Sequence, residues 1–287
     1  TTADSVPGRS GAAFTGFYMP GLNNSGEVAF RATTSQGTGI WSNVSGSFEK
    51  VAFVGETAPG AGAAAYASLE VMDRVTFNDA GHVQYRATLV GDGVNTANDV
   101  GLWSNAGGSS QLLAREGDAL PAVGAGVSLE VITPSVAFNA ADHSAMRASL
   151  TGVGVTTANN LAILSDRGGS GWEVVARKGS AAPVGASGEA FSSFDSNALA
   201  FNDSGQVQFI STLSGTNVTT SNDRAVFSEG PGGMQMVARE GQVAPGANAL
   251  FGHNPELSGA DNTFSTIRFN NAGQTAFIGH LGANSTD

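Results

Sequence analysis

The residues of this chain with the most chemistry to offer are three arginines, Arg31, Arg86 and Arg147, which return at one slot behind a recurring turn phrase. Guanidinium groups gathered near one axis would bind a carboxylate or a sulfate through paired N–H donors. Ile210 and Ile278 hold the same slot in two further copies and interrupt such a ring. The competing reading is that each arginine pairs with a nearby acid such as Glu116. Carboxylates form a second set: Glu70 and Glu130 lie in matching Ser-Leu-Glu-Val stretches, and Asp195 lies near the equivalent place. Two carboxyl groups flanking one bond are what glycoside hydrolysis needs. Repetition speaks against that use, because an active site draws unlike residues from different units, and solvated turns and edges account for the acids equally well.

His82 and His143 match one another one unit apart, while His253 and His280 stand elsewhere. No pair has the spacing of a metal-binding helix, so neither a metal nor another cofactor is expected. The loops around Asp99 and Asp223 lack the dense alternating oxygens of a calcium loop. Trp41 and Trp103 align with Leu164 and Phe227 and read as core; Trp172 has no counterpart and is the aromatic best suited to an exposed ligand surface. Asn43-Val-Ser45 and Asn217-Val-Thr219 fit the glycosylation pattern, which short sequences meet by chance. The ligand candidates are therefore Arg31, Arg86, Arg147 and Trp172, and no residue is assigned to catalysis.

The element that positions these side chains is a phrase heard five times: Leu22-Asn-Asn-Ser-Gly-Glu-Val-Ala-Phe30, Phe77-Asn-Asp-Ala-Gly-His-Val-Gln-Tyr85, Phe138-Asn-Ala-Ala-Asp-His-Ser-Ala-Met146, Phe201-Asn-Asp-Ser-Gly-Gln-Val-Gln-Phe209 and Phe269-Asn-Asn-Ala-Gly-Gln-Thr-Ala-Phe277. Self-similarity at a period of roughly 60 residues marks a repeat architecture. Asn at the first turn position bonds its own backbone, and Gly at the fourth accepts a left-handed conformation, so the pairs Asn23 and Gly26, Asn78 and Gly81, Asn202 and Gly205, and Asn270 and Gly273 read as type I turns closing β-hairpins. The third copy carries Asp142 where Gly belongs, which the left-handed region tolerates less well. Behind the turn the residues alternate, Val28, Phe30 and Ala32 against Ala29 and Arg31, which predicts a half-buried strand.

Two more echoes follow in each of the first four units. Gly39-Ile-Trp-Ser42, Gly101-Leu-Trp-Ser104, Ala162-Ile-Leu-Ser165 and Ala225-Val-Phe-Ser228 form one; Val51-Ala-Phe-Val-Gly55, Leu113-Ala-Arg-Glu-Gly117, Val175-Ala-Arg-Lys-Gly179 and Val237-Ala-Arg-Glu-Gly241 form the other. Pro59, Pro121, Pro183 and Pro245 end the last strand of each unit. Related loops, Asn95-Thr-Ala-Asn-Asp99, Thr156-Thr-Ala-Asn-Asn160 and Thr219-Thr-Ser-Asn-Asp223, hold fixed lengths and are expected to be structured; the first unit has a shortened loop. About four strands per unit, with no capped amphipathic helix, predict an all-β chain: a β-propeller-like array of about five four-stranded antiparallel blades, the fifth incomplete. The units fall near residues 9–60, 61–122, 123–184, 185–246 and 247–287 within one repeat domain 1–287.

Composition bounds the partners. A net charge of −11 with only two lysines, Lys50 and Lys178, excludes the clustered cations that nucleic acid requires and offers no basic patch to an anionic membrane. No apolar run reaches membrane-span length. With no cysteine, the fold depends on its core and ladders. An acidic, Lys-poor, Cys-free chain that begins Thr1-Thr-Ala-Asp4 suits a secreted protein after signal-peptide removal.

Asn78-Asp-Ala-Gly-His-Val-Gln-Tyr85 and Leu113-Ala-Arg-Glu-Gly-Asp118 resemble the tandem N-x-x-G-x-x-A-F repeats of bacterial surface proteins, whose repeats precede varied ("choice-of-anchor") anchoring signals. Asn23–Gly26 with Ala29-Phe30, and Asn270–Gly273 with Ala276-Phe277, match in full; the third copy departs at Asp142 and at Ala145-Met146. The resemblance covers nearly the whole chain and implies secretion and surface display; it carries no catalytic residues.

Asp4-Ser-Val-Pro-Gly8 matches the close of the third echo, and Leu281 matches Leu89, Leu150 and Leu213. The expectation is four complete units and a fifth with its first hairpin alone. An open sheet edge templates an incoming strand, so the missing strands come from a longer chain or from another copy. The function expected is a non-catalytic extracellular structural protein that assembles head to tail into a filament or coat, with surface polysaccharide as a further partner. The alternative is a carbohydrate-binding or glycoside-hydrolase-like propeller.

Overall fold

The computed structural model describes residues 5–70, 76–183, 188–230, 232–252 and 263–282. Asp4, His253 and the residues after Gly282, on which part of the reading of the two ends rests, lie outside the described residues. Among the described residues every regular element is a strand.

Each repeat lays its strands side by side in chain order. The first contributes β1 (Phe14–Phe17), β2 (Gly21–Leu22), β3 (Val28–Thr34), β4 (Gly37–Ser42) and β5 (Glu49–Phe53), in the order β1-β3-β4-β5 with β2 also on β3. The second contributes β6 (Ala65–Glu70), β7 (Thr76–Phe77), β8 (Val83–Val90), β9 (Val100–Ser104) and β10 (Gln111–Arg115), with β6 and β7 both on β8. The first strand position is split into two pieces in the first sheet; in the second, residues 71–75 between β6 and β7 lie outside the described residues. That position is continuous in the third, which runs β11 (Val127–Phe138), β12 (Ser144–Gly152), β13 (Leu161–Ser165), β14 (Glu173–Arg177), and in the fourth, β15 (Ala190–Phe201), β16 (Val207–Ser214), β17 (Arg224–Gly230), β18 (Gly233–Arg239). The fifth sheet pairs β19 (Phe264–Phe269) with β20 (Thr275–Gly279). The strand pairs of these sheets are antiparallel, as hairpin links require. The fold is therefore all-β, with antiparallel meanders of four strand positions in the first four sheets and a two-stranded hairpin in the fifth.

Two compact units divide the chain: Thr1–Pro121 with Ser128–Pro134 and Phe138–Asp142, and Ala122–Val127 with Ser135–Ala137 and His143–Asp287. In the first unit, Ala29, Ile40 and Ala52 of the first sheet pack on Tyr66, Tyr85 and Trp103 of the second. In the second unit, Ala145, Ile163 and Ala176 pack on Phe191, Phe209 and Phe227, and Ile210, Val226 and Ala238 pack on Phe251, Phe264 and Ile267. In these three pairs one sheet sets a face of small and branched residues against the aromatic face of the sheet that follows. Trp41 and Trp103 are fully buried, each donating its indole N–H to a proline carbonyl, of Pro7 at 3.0 Å and of Pro59 at 2.9 Å.

This packing corrects one expectation. In the first four copies the slot expected to face solvent behind the turn is buried, at Ala29, Gln84, Ala145 and Gln208; in the fifth, Ala276 is exposed. In β16 the alternation records two packing partners: Phe209 packs with Ala145 and Ile163 of the sheet before, and Ile210 with Phe264 and Ile267 of the sheet after.

Candidate functional site

The phrase folds as a type I turn followed by a left-handed residue. In the second copy the Gly81 N–H donates to the Asn78 carbonyl, the Asn78 N–H to the His82 carbonyl, each at 3.1 Å, and Gly81 sits at φ 82°. The Asn78 Oδ1 accepts the His82 N–H at 2.8 Å. Asn23, Asn202 and Asn270 do the same, accepting the N–H of Glu27, Gln206 and Gln274 at 2.9 Å in each case.

The amide nitrogen of the same asparagine reaches out of its own repeat. Asn23 Nδ2 donates to the Asn78 carbonyl at 3.4 Å, and Asn78 Nδ2 to the Asn139 carbonyl at 2.7 Å; in the second unit Asn202 Nδ2 donates to the Asn270 carbonyl at 2.9 Å. The second turn position repeats the pattern: Asn24 bonds the Asp79 carboxylate through its backbone N–H at 3.0 Å and its side chain at 2.6 Å, and Asn271 Nδ2 bonds Asp203 at 2.6 Å. The turns form a ladder. Asp142 departs from Gly yet keeps the left-handed backbone, φ 65°, and its Oδ1 lies 2.8 Å from Asn78 Nδ2 and 2.7 Å from His82 Nδ1. Strain of a non-glycine residue at positive φ is offset by two side-chain bonds to the preceding turn. His82 is thereby occupied, and His143 faces Asp166 at 3.7 Å.

The arginine slot is a second tie. Arg86 Nε donates to the Ile132 carbonyl at 2.9 Å, and its guanidinium contacts the Glu70 carboxylate, the cross-strand partner of Arg86. Burial draws the Arg86 guanidinium below its ordinary value, opposed by Glu116 and Asp99. Burial likewise raises the Glu116 carboxyl, opposed first by the Ile132 N–H donating to it at 3.1 Å. In the second unit Arg147 Nε donates to the Phe194 carbonyl at 3.0 Å, and burial lowers its guanidinium against the pull of Asp195. Where Ile210 replaces arginine, Arg224 on the adjacent strand takes over, bonding Asp195 at 2.5 Å and the Phe264 carbonyl at 3.3 Å. Arg31 lies over the Tyr18 ring, 4.1 Å from its centroid. Trp172 is half-buried just before β14. Glu130 is exposed.

Two recurring roles escape a reading of the sequence. The residue after the second echo, Asn43, Asn105, Asp166 or Glu229, accepts the N–H that opens the strand behind the turn, that of Val28, Val83, Ser144 or Val207, at 2.5 to 2.9 Å. The signal was available: this position always bears an oxygen acceptor. The arginine of the third echo holds the long loop, Arg115, Arg177 and Arg239 donating Nε to the carbonyls of Asn98, Asn159 and Asn222 at 2.6 to 2.9 Å. The first repeat, whose loop is short, has Phe53 there instead, stacked under Arg9.

One small cavity, about 80 Å³, lies in the second unit, lined by Ser193, Phe194, Asp195, Ile210, Ser211, Thr212 and Arg224. Among the described residues no group of three or more metal-ligating side chains stands together, and no helix is long and apolar enough to cross a membrane.

No curated protein matches the sequence. Among solved structures, the chain is similar to an exo-β-1,3-galactanase from Phanerochaete chrysosporium with β-1,3-galactotriose, at TM-score 0.31 and 12% identity over 79% of this chain and 53% of that one. It is also similar to an engineered GH43 glycoside hydrolase with endo-xylanase and exo-arabinofuranosidase activity, at TM-score 0.28 and 10% identity over 83% of this chain and 45% of that one. The chain thus spans about half the length of these structures. A match to the family model described as a family of unknown function, DUF7453, runs over residues 1–287, and the chain belongs to that family.

Proposed function

We propose that this chain is a non-catalytic structural protein of an extracellular surface, a propeller-like array of about five blades whose copies join head to tail into a filament or coat. The observation that carries the reading is that the side chains recurring from repeat to repeat are engaged with the backbone of neighbouring turns, strands and loops. Asn78 ties its turn to the next, Arg86 and Arg147 bond the following strand, and Arg115, Arg177 and Arg239 hold loops. A ligand site would require such groups to converge on a space, and here they converge on backbone. Secretion and display follow from the composition and from the resemblance to surface repeats. Among the described residues β20 pairs with β19 alone; an open strand edge takes a further strand through main-chain hydrogen bonds, and in a homopolymer another copy supplies it.

The cavity beside Asp195 and Arg224 favours a second reading, a carbohydrate-binding or glycoside-hydrolase-like module, because an acid and a guanidinium face it together with three hydroxyl side chains. One set of measurements separates the two. Light scattering over a concentration series, with electron microscopy, is expected to show mass growing beyond the dimer; incubation with a panel of β-linked polysaccharides is expected to release no reducing sugar. A constant monomer or a closed two-fold dimer contradicts the assembly, and sugar release contradicts the non-catalytic assignment.

A further inference from the structure

The fourth sheet departs from the repeat at three positions, and the departures meet. Strand register sets Thr212 opposite Arg224, where the second sheet sets Thr88 opposite Val100 and the third sets Ser149 opposite Leu161. Arg224 thus brings a cation to a slot that is apolar in those two sheets. Ser211 stands where Ala87 and Ala148 stand, and Ile210 stands where Arg86 and Arg147 stand. All three replacements, Ile210, Ser211 and Arg224, line the cavity of about 80 Å³. A repeat scaffold offers like residues everywhere, so a place where unlike residues gather around a space is where a ligand can be held.

The lining joins donors to acceptors. Arg224 bonds Asp195 at 2.5 Å through Nη2, and its Nε is buried with no hydrogen-bond partner among the described residues, a condition that calls for one. The Ser211 hydroxyl donates to the Ser193 carbonyl at 2.6 Å and keeps lone pairs with which to accept. In the second sheet the hydroxyls of Ser68 and Thr88 bond one another at 2.7 Å; Ser193 and Thr212, the same pair by register, both line the cavity. Asp195 meets the charge of Arg224, so the lining carries no net charge and an anion would face a carboxylate. A neutral hydroxyl suits both groups, accepting from Arg224 Nε and donating to Asp195. The cavity has room for a few water-sized groups, the size of two neighbouring hydroxyls and not of a whole sugar ring. We infer that it binds the vicinal diol of a small polyol or of one edge of a sugar residue, and holds the sugar without cutting it. Glycoside hydrolysis takes two carboxyl groups flanking the bond, and Asp195 is the single carboxylate of the lining. The inference rests on the carbohydrate-binding reading of this cavity and needs nothing from head-to-tail assembly.

Saturation-transfer NMR tests it, because it reads the ligand's own protons and works on monomer and filament alike. The probes are glycerol, methyl glucoside, isopropanol and acetate. Glycerol and the glucoside are expected to receive saturation from the protein; isopropanol, with one hydroxyl, and acetate are not. A signal from glycerol without one from the glucoside assigns the site to a free polyol, and signals from both assign it to a sugar residue. Ser211→Ala with Thr212→Val removes two hydroxyls and keeps the shape of the wall. Affinity for the glucoside, read from the concentration dependence of its signal, is expected to fall about tenfold in that variant. Ser211→Ala alone, which installs the residue of Ala87 and Ala148, carries the test if the double variant loses its cooperative thermal transition. Affinity left unchanged by these substitutions overturns the inference alone, since the sugar then binds elsewhere on the chain. A signal from acetate without one from the polyols overturns it in favour of an anion site. Silence from both glycerol and the glucoside overturns it together with the carbohydrate-binding reading.

Discussion

An asparagine side chain offers one acceptor and two N–H donors, and in this fold the two ends serve different repeats. The Asn78 oxygen closes its own turn, while the nitrogen crosses to the Asn139 carbonyl and the Asp142 carboxylate. Replacing it by alanine removes all three bonds and strands buried partners, at about 1–3 kcal/mol for each group left unsatisfied. Asn78→Ala is expected to destabilise the first unit by about 2–3 kcal/mol in a denaturant titration, more than a turn asparagine alone contributes. A loss below about 0.5 kcal/mol would show that the crossing bonds do not form. The turn itself was legible, because Asn and Gly at first and fourth position have few other uses. The ladder was not: a spacing of roughly 60 residues says which asparagines are equivalent but nothing about how near equivalents come. Asp142 reads in the sequence as a blemish for the same reason, its partners Asn78 and His82 lying a full repeat away.

At the scale of the element, the long loops show how a polar segment is made rigid. Asn159 accepts the Thr156 N–H at 2.8 Å, donates to the Gly154 carbonyl at 3.1 Å, and has its own carbonyl held by Arg177 at 2.9 Å. The Gly179 position leaves 2.8 Å between a notional Cβ and the Ala158 carbonyl, so the loop lies directly on the glycine of the third echo. Arg177→Leu keeps the aliphatic stem and loses the donor. It is expected to raise amide exchange across residues 152–160 by about tenfold, the equivalent of one hydrogen bond of about 1.5 kcal/mol, with the β12–β13 ladder unchanged. Equal exchange in variant and parent would mean that the loop orders itself. Constant loop length signalled order, and the missing arginine in the short-looped first repeat was a clue to its cause. Strand alternation misled about solvent because a polar side chain at an outward slot can still be buried, as Gln84 and Gln208 are.

At the scale of the whole molecule, two kinds of contact bind successive repeats: aromatic faces covered by small residues, and side-chain bonds that cross from one repeat to the next. Repeat arrays of this sort gain stability from neighbour interfaces as much as from each unit. The number of strands per repeat and their hairpin links could be read from the echoes, since periodicity and turn chemistry are local. Which side chains cross could not, because crossing depends on the stacking of sheets. Function followed the same division, with the arginine slot recognised at once and its backbone targets, Ile132 and Phe194, visible only in three dimensions. The central claim is that recurring polar residues tie repeat to repeat. Hydrogen exchange on Asn202→Ala tests it most directly, since Asn202 Nδ2 donates to the Asn270 carbonyl one repeat on. The account predicts faster exchange in the variant at both turns, 202–206 and 270–274. A change confined to the 202–206 turn would contradict it.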